Sequence, residues 1–204
     1  MSDVSASRPS LWIVAGPNGV GKTTYAEVQI PQLSGATSFL NLDAIARGIS
    51  PLDPNQDQLK AGRIAIGLMR ESIDRGITFT IESTLSGKGH KGLIARAKSR
   101  DYLIKLLYFY VTDPDEALRR IARRVADGGH DVPRRDATRR FKRSLEQFGS
   151  YAELSDSWWI YDTDNPTARL RASGSAGALT SEENVPDALL PVELENWLAK
   201  RRPA

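Results

Sequence analysis

Leu11-Trp12-Ile13-Val14-Ala15-Gly16-Pro17-Asn18-Gly19-Val20-Gly21-Lys22-Thr23-Thr24 is the stretch that decides the fold of this chain. Its first five residues form an apolar run without alternation, as a parallel strand covered on both faces requires. A glycine-rich turn follows, and Lys22 opens a segment that reads as a helix to about Val28, stopped by Pro31. The turn satisfies G-x-x-x-x-G-K-[ST], and it lies between a strand and a helix, the context that gives this pattern its meaning. Glycines let successive backbone N–H groups converge on phosphate oxygens, and the positive end of the new helix adds to the attraction. Gly16, Asn18, Gly19, Val20, Gly21, Lys22, Thr23 and Thr24 are therefore the candidate ATP-binding residues. Lys22 would reach the terminal phosphates, and Thr23 would offer its hydroxyl to Mg²⁺, which prefers oxygen ligands shared with phosphate.

Outward from this turn, strands and helices alternate. Ser38 to Leu42 reads as a second strand ending at Asp43, Gln56 to Arg75 as a helix with Gly76 at its C-terminus, and Ile77 to Ile81 as a third strand ending at Glu82. A short helix over 91–99 and a strand from Tyr102 to Val111 follow. Asp113-Pro114-Asp115-Glu116 then combines an N-cap, a proline at the first helical position and a glutamate at the third. That helix runs to Asp127, Gly128-Gly129 breaks it, and Pro133 restarts a second basic helix to about Tyr151. Trp158 to Tyr161 is a fifth strand, Arg169 to Thr180 a hairpin around Gly174 and Gly177, and Pro191 to Lys200 a closing helix. The pattern predicts a three-layer α/β P-loop fold with a mainly parallel sheet. Residues 1–10 read as a loose arm, residues 11–204 as one domain, and about 115–150 as a helical lid. The tail after Asn165 either completes the fold or meets a partner.

Composition narrows the function. The chain has 204 residues, 40% hydrophobic and 26% charged, ordinary globular usage that excludes wholesale disorder and fibrous repeats. The longest apolar runs, Leu11 to Ala15 and Leu106 to Val111, are far too short to cross a bilayer, so no membrane partner is expected and the cytoplasm is the default compartment. Without cysteine there is no disulfide framework and no thiolate chemistry, and two histidines make a zinc site improbable. Ten basic residues against three acidic ones between Arg119 and Arg143 give that segment +7, which leaves −4 elsewhere to reach the whole chain's +3. One concentrated segment indicates an anionic visitor rather than a coat for nucleic acid.

Two further groups bear on chemistry. Asp43 follows the second strand, 21 residues after Lys22, and adjacent strands of such a sheet open onto one crevice at their carboxyl ends. It could take the proton of an attacking hydroxyl. It could also simply cap the short helix Ala44 to Arg47. Glu82, Ser83 and Thr84 end the third strand on the same rim, offering a carboxylate and two hydroxyls to sugar hydroxyls or to a metal-bound water. The basic segment, two arginine-lined helices about a Gly-Gly joint, fits a closing lid that clamps phosphates. Arg120 and Arg124 share a helix face, and Arg139 and Arg140 begin the returning helix. His130 and Asp131 in the joint read as turn stabilisers.

Gly16 to Thr24, Asn41-x-Asp43, Glu82 to Gly87, Arg124-Val125 and Gly128 to Pro133, then Arg139-Arg140-Phe141, together resemble the short zeta-toxin-like P-loop kinases over roughly residues 11–165. The resemblance implies ATP- and Mg²⁺-dependent phosphorylation of the sugar 3′-hydroxyl of UDP-N-acetylglucosamine, and restraint by an antitoxin protein. By position, Lys22 is similar to the P-loop lysine and Asp43 to the aspartate base. Glu82 and Thr84 correspond to the residues that hold the sugar, and Arg124 and Arg139 to the lid arginines. The chain departs from the long toxins in lacking their extended inserts, which opens the acceptor to other hydroxyl compounds: a nucleoside, a dinucleotide or an antibiotic. An ABC-like ATPase switch is a rival reading, since Leu85-Ser86-Gly87 and Leu106 to Asp113 imitate a signature loop and a Walker B strand. Against it, Pro114 replaces the following acid, and 62 residues between Lys22 and Leu85 are too few for the usual helical subdomain.

Overall fold

The computed structural model describes residues 8–34, 38–53, 56–129, 131–183 and 189–203. In chain order the elements are β1 (Ser10–Ala15), α1 (Lys22–Ser34), β2 (Ser38–Leu40), α2 (Leu42–Ile49), α3 (Gln58–Asp74), β3 (Phe79–Ser83) and α4 (Lys91–Lys98). They continue with β4 (Leu103–Tyr110), α5 (Pro114–Ala126), α6 (Arg134–Ala152), β5 (Ser157–Asp162), β6 (Arg169–Ser175), β7 (Ala178–Glu182) and α7 (Val192–Ala199). The strands form one sheet in the order β2-β3-β1-β4-β5-β6-β7, parallel through β5 and antiparallel over the last two. With its helices this is the three-layer, mainly parallel α/β fold that the alternation implies.

Local chemistry explains most boundaries. Asp113 accepts from the Asp115 N–H at 2.8 Å, with Pro114 in the first turn of α5. Gly76 ends α3 at a φ of +66°, its N–H on the Ile73 carbonyl and that of Ile77 on the Ser72 carbonyl, a Schellman arrangement that glycine adopts without strain. Several boundaries differ from expectation: β3 is shifted to Phe79–Ser83, α2 is longer than Ala44 to Arg47, and α1 and β2 end elsewhere. α1 does not stop at Pro31 but runs to Ser34. The proline forfeits the backbone bond to residue 27 and strains the helix there, and the helix nonetheless continues three residues beyond it. β2 ends at Leu40, because Asn41 leaves the strand to cap α2.

Central β1 is buried at every position, which accounts for its unbroken apolar run. It lies between β3 and β4, with Ala15 level with Ser83 on one side and Tyr108 on the other. The carboxyl ends of the three strands therefore share one rim, and the Gly16 N–H still reaches the Ser83 carbonyl at 3.2 Å.

The end of the chain completes the fold. β6 extends the sheet, and α7 sets Trp197 edge-on against Phe148 and Trp158, ring centroids 5.1 Å apart in both pairs. Phe141, Leu145 and Phe148 of α6 belong to the main core, while Ile121, Val132 and Ala137 form a small cluster of their own between α5 and α6. Freeing Phe148 would expose a side chain whose burial stabilises the fold by about 1.5–3 kcal/mol. Phe141, Leu145 and Phe148 thus tie α6 to the main core within the stretch expected as a lid, 115–150. Ser10 begins β1, so the expected arm ends before it, and residues 1–7 lie outside the described residues.

Candidate active site

Two glycines press the phosphate turn onto its supports. A Cβ on Gly16, at a φ of +139°, would stand 2.1 Å from the Phe109 carbonyl oxygen of β4. One on Gly19, at a φ of +83°, would stand 2.3 Å from the Ala117 carbonyl oxygen of α5. The loop thus contacts both the sheet and α5, and only glycine permits that approach. Gly19→Ala is expected to cost about 1–3 kcal/mol of stability and to weaken nucleotide binding as α5 shifts. Urea denaturation paired with nucleotide titration checks this, and a variant with wild-type values for both would mean the contact is not needed.

Lys22 is 5% exposed. Its ammonium donates to the Pro17 carbonyl at 2.7 Å and lies 3.9 Å from Glu82 Oε1. Burial pushes its pKa down, Glu82 and Asp43 pull it back up, and Arg124 adds to the lowering; burial prevails. One carboxylate oxygen, Glu82 Oε2, accepts from Thr23 Oγ1 at 2.8 Å and from Asn41 Nδ2 at 2.6 Å. The other face of the Asn41 amide, Oδ1, accepts from the Asp43 and Ala44 N–H groups at 2.8 and 3.1 Å. Asn41 is thus the cap of α2, a role the sequence had offered to Asp43, and it ties that helix to β3. Asp43 lies in the first turn, its side chain not engaged in capping.

Three adjoining cavities follow from this arrangement. The first, 860 Å³, runs past Tyr25 and Val28 of α1, Arg123 of α5 and the loop Thr163 to Ala168. The second, 310 Å³, holds Lys22, Thr23, Asp43, Glu82 and Arg124. The third, 390 Å³, is walled by Thr84, Ser86, His90, Arg140 and the apolar side of α3. Gly21, Thr24 and Arg120 border the first two, and Asn18, Asp43 and Glu82 border the second and third.

The arginines expected to line a lid lie in different surroundings. Arg120 lines the first two cavities, but its guanidinium is engaged with Glu116 Oε1 at 2.7 Å and with the Thr163 and Asp164 carbonyls at 2.8 and 3.1 Å. It fastens α5 to the loop after β5. Arg124 faces the Lys22 cavity. Arg139 turns to solvent and pairs with Asp136 at 2.7 Å, and Arg140 takes the inward place. The Ser83 hydroxyl accepts from the Leu85 N–H at 3.0 Å and so holds the turn after β3, while Thr84 Oγ1 and Ser86 Oγ stand 2.9 Å apart at the third cavity. Asp113 caps α5 and pairs with Arg119 at 3.1 Å, so the carboxylate beside Thr23 is Glu82 from β3 and not a Walker B acid after β4. His130 lies outside the described residues.

Mg²⁺ needs few protein oxygens when phosphates and water complete its shell. The Thr23 hydroxyl and the Glu82 carboxylate, already 2.8 Å apart, fit that requirement. Among the described residues there is no group of three or more His, Cys, Asp or Glu that could hold a metal unaided.

The profile described as AAA domain matches residues 11–148. The chain belongs to that family. An uncharacterised protein of Haemophilus influenzae strain Rd is 33% identical over 132 residues, 61% of this chain and 92% of that protein. Among solved structures, the AvrRxo1-ORF1:-ORF2 complex with ATP superposes with a TM-score of 0.70 at 16% identity, over 88% of this chain. This AAA domain chain spans 62% of that longer chain. The PezAT toxin–antitoxin system of Streptococcus pneumoniae gives a TM-score of 0.58 at 17% identity, over 85% of this chain and 77% of that one. At these identities the likeness shows the fold, a P-loop domain of the kinase-like kind. Among the described residues no helix is long and apolar enough to cross a membrane.

Proposed function

We propose that this protein is an ATP-dependent small-molecule kinase that transfers the γ-phosphoryl group to an acceptor hydroxyl. The observation that carries this reading is the row of cavities: the Lys22 cavity connects a nucleoside-sized space to a third chamber, with Asp43 on the boundary. The acceptor oxygen forms the new bond to Pγ. The bond from Pγ to the β,γ-bridging oxygen breaks with its electron pair going to ADP, and the hydroxyl proton goes to Asp43. Lys22 and Arg124 lie on the phosphate side, where negative charge builds up in the transition state. Thr23 and Glu82 would hold Mg²⁺, which neutralises phosphate charge when bound. Thr84 and Ser86 offer hydroxyls to the acceptor.

The zeta-toxin resemblance carries UDP-N-acetylglucosamine as the acceptor and an antitoxin as protein partner, and the likeness in fold to the PezAT system supports the latter. The 390 Å³ of the third chamber favours an acceptor smaller than a nucleotide sugar. Incubating the protein with Mg²⁺, ATP labelled at the γ-phosphate and a small-molecule extract tests the reaction. A labelled species other than inorganic phosphate is expected. Release of inorganic phosphate alone would turn the reading towards a simple ATPase.

A further inference from the structure

The third chamber has a chemistry of its own. Arg140 of α6 is half-buried on its wall and has no hydrogen bond or ion pair with any described residue. Among its neighbours in the basic segment, Arg119, Arg120, Arg134, Arg139 and Lys142 each pair with a nearby carboxylate, and Arg123, Arg135 and Arg143 are exposed to water. A guanidinium that is half-desolvated and left without a partner inside a cavity faces a binding site for an oxyanion, because its planar fork matches carboxylate and phosphate oxygens. Burial holds the other basic side chain of the chamber, His90, below its ordinary imidazole pKa, which leaves Arg140 as the standing positive charge there.

Position adds direction. Asp43 and Glu82 border the phosphate cavity as well as this chamber, whereas Arg140 borders the chamber alone. An acceptor is then drawn with its anionic end away from those two carboxylates and its hydroxyl towards them. Volume adds a limit. ATP has the 860 and 310 Å³ cavities for its nucleoside and phosphates, and the 390 Å³ chamber offers roughly a third of their combined volume. A nucleotide sugar carries more atoms than ATP. Ile66, Met69 and His90 line both the chamber and the next cavity, of 530 Å³, and so form a partition between them.

Resting on the kinase reading, we propose that the acceptor is a small hydroxyl compound bearing one oxyanion, a carboxylate or a phosphate monoester, and that Arg140 grips that group. The experiment uses the full chain with ATP and Mg²⁺. Products from a small-molecule extract are identified by mass spectrometry, and rates are then measured with glycerate, glycerol 3-phosphate, glycerol and UDP-N-acetylglucosamine as probes. The expected product derives from a small parent carrying a carboxylate or phosphate, and the two anionic probes tell those sources apart. For the parent so identified, Arg140→Ala should raise the acceptor KM by about 10- to 100-fold, the loss of one charge-assisted grip, with a much smaller change in the KM for ATP. Arg140→Lys, which keeps the charge but not the fork, should fall between, and a melting curve shows that both variants are folded. A product derived from a neutral parent or from UDP-N-acetylglucosamine, or an acceptor KM untouched in both variants, overturns the proposal while leaving the kinase reading intact. An extract with no phosphorylated product at all overturns both.

Discussion

Replacing Lys22 by methionine is expected to lower phosphoryl transfer by about 10²- to 10³-fold or more, the cost of losing one charged donor from a preorganised site, while leaving the folded protein at least as stable as the wild type. The two halves of this result have one cause. Without a bound phosphate the ammonium sits 5% exposed, its pKa lowered because burial outweighs the attraction of Glu82 and Asp43. A lysine whose folded pKa lies below its unfolded value of 10.5 destabilises the fold wherever both states hold the proton, that is, below the folded pKa. The unfolded chain binds more protons between the two values, so wild-type stability gains a contribution as pH rises through that window, complete at about 10.5. The methionine variant has no such contribution. It also keeps the volume of the side chain, and Glu82 retains its bonds from Thr23 and Asn41. Melting curves across pH and a phosphotransfer assay together check the claim. A variant that still transfers phosphate would remove Lys22 from the mechanism, and one that melts lower at neutral pH would show that its ion pair outweighs desolvation.

How much of this site could be read from the chain depends on whether its signals are local. The glycine turn between β1 and α1, the Asp113-Pro114 start of α5 and the Gly76 stop of α3 are local, each settled by a few consecutive residues with specific backbone demands, and the structure has their backbone as read. The tie between Asn41 and Glu82 joins residues 41 positions apart, across two strands. Only half of it, an asparagine suited to a helix cap, is visible in sequence. The loop Thr163 to Ala168, which walls the 860 Å³ cavity, has no periodicity to announce it and reaches α1 only because β5 lies beyond β4 in the sheet.

The choice between Arg139 and Arg140 is an intermediate case. The buried stripe of α6 includes Ala137, Phe141, Ser144 and Phe148. Arg140 is three residues after the first of these and four before the third, so it shares that face, and Arg139 stands about 100° away. The heptad-like spacing was available. The signal was masked because two adjacent arginines satisfy a charge argument equally well, and only the packing of Phe141 into the core distinguishes them.

Asp43→Asn is expected to separate chemistry from binding. The amide occupies the space of the carboxylate but cannot take the acceptor's proton, so kcat should fall by about 10²- to 10⁴-fold, the usual contribution of a positioned general base. The affinity for ATP should change little, because the nucleoside wall and the Thr23–Glu82 pair are untouched. The fold should tolerate the change. Asn41, and not Asp43, caps α2, so what is lost from that helix is the favourable placement of a negative charge near its N-terminus, about 0.3–1 kcal/mol. Glu82→Gln supplies the contrast. Glu82 accepts bonds from Thr23 and Asn41 and faces Lys22, so its amide should weaken Mg²⁺-dependent nucleotide binding along with turnover. Fluorescence titration with ATP and Mg²⁺, set beside single-turnover rates, distinguishes the two. If Asp43→Asn turns over like the wild type, the proton leaves by another route and the boundary position of Asp43 is only structural. If both variants lose ATP affinity equally, Asp43 belongs with the metal-side oxygens and the acceptor side lacks a base.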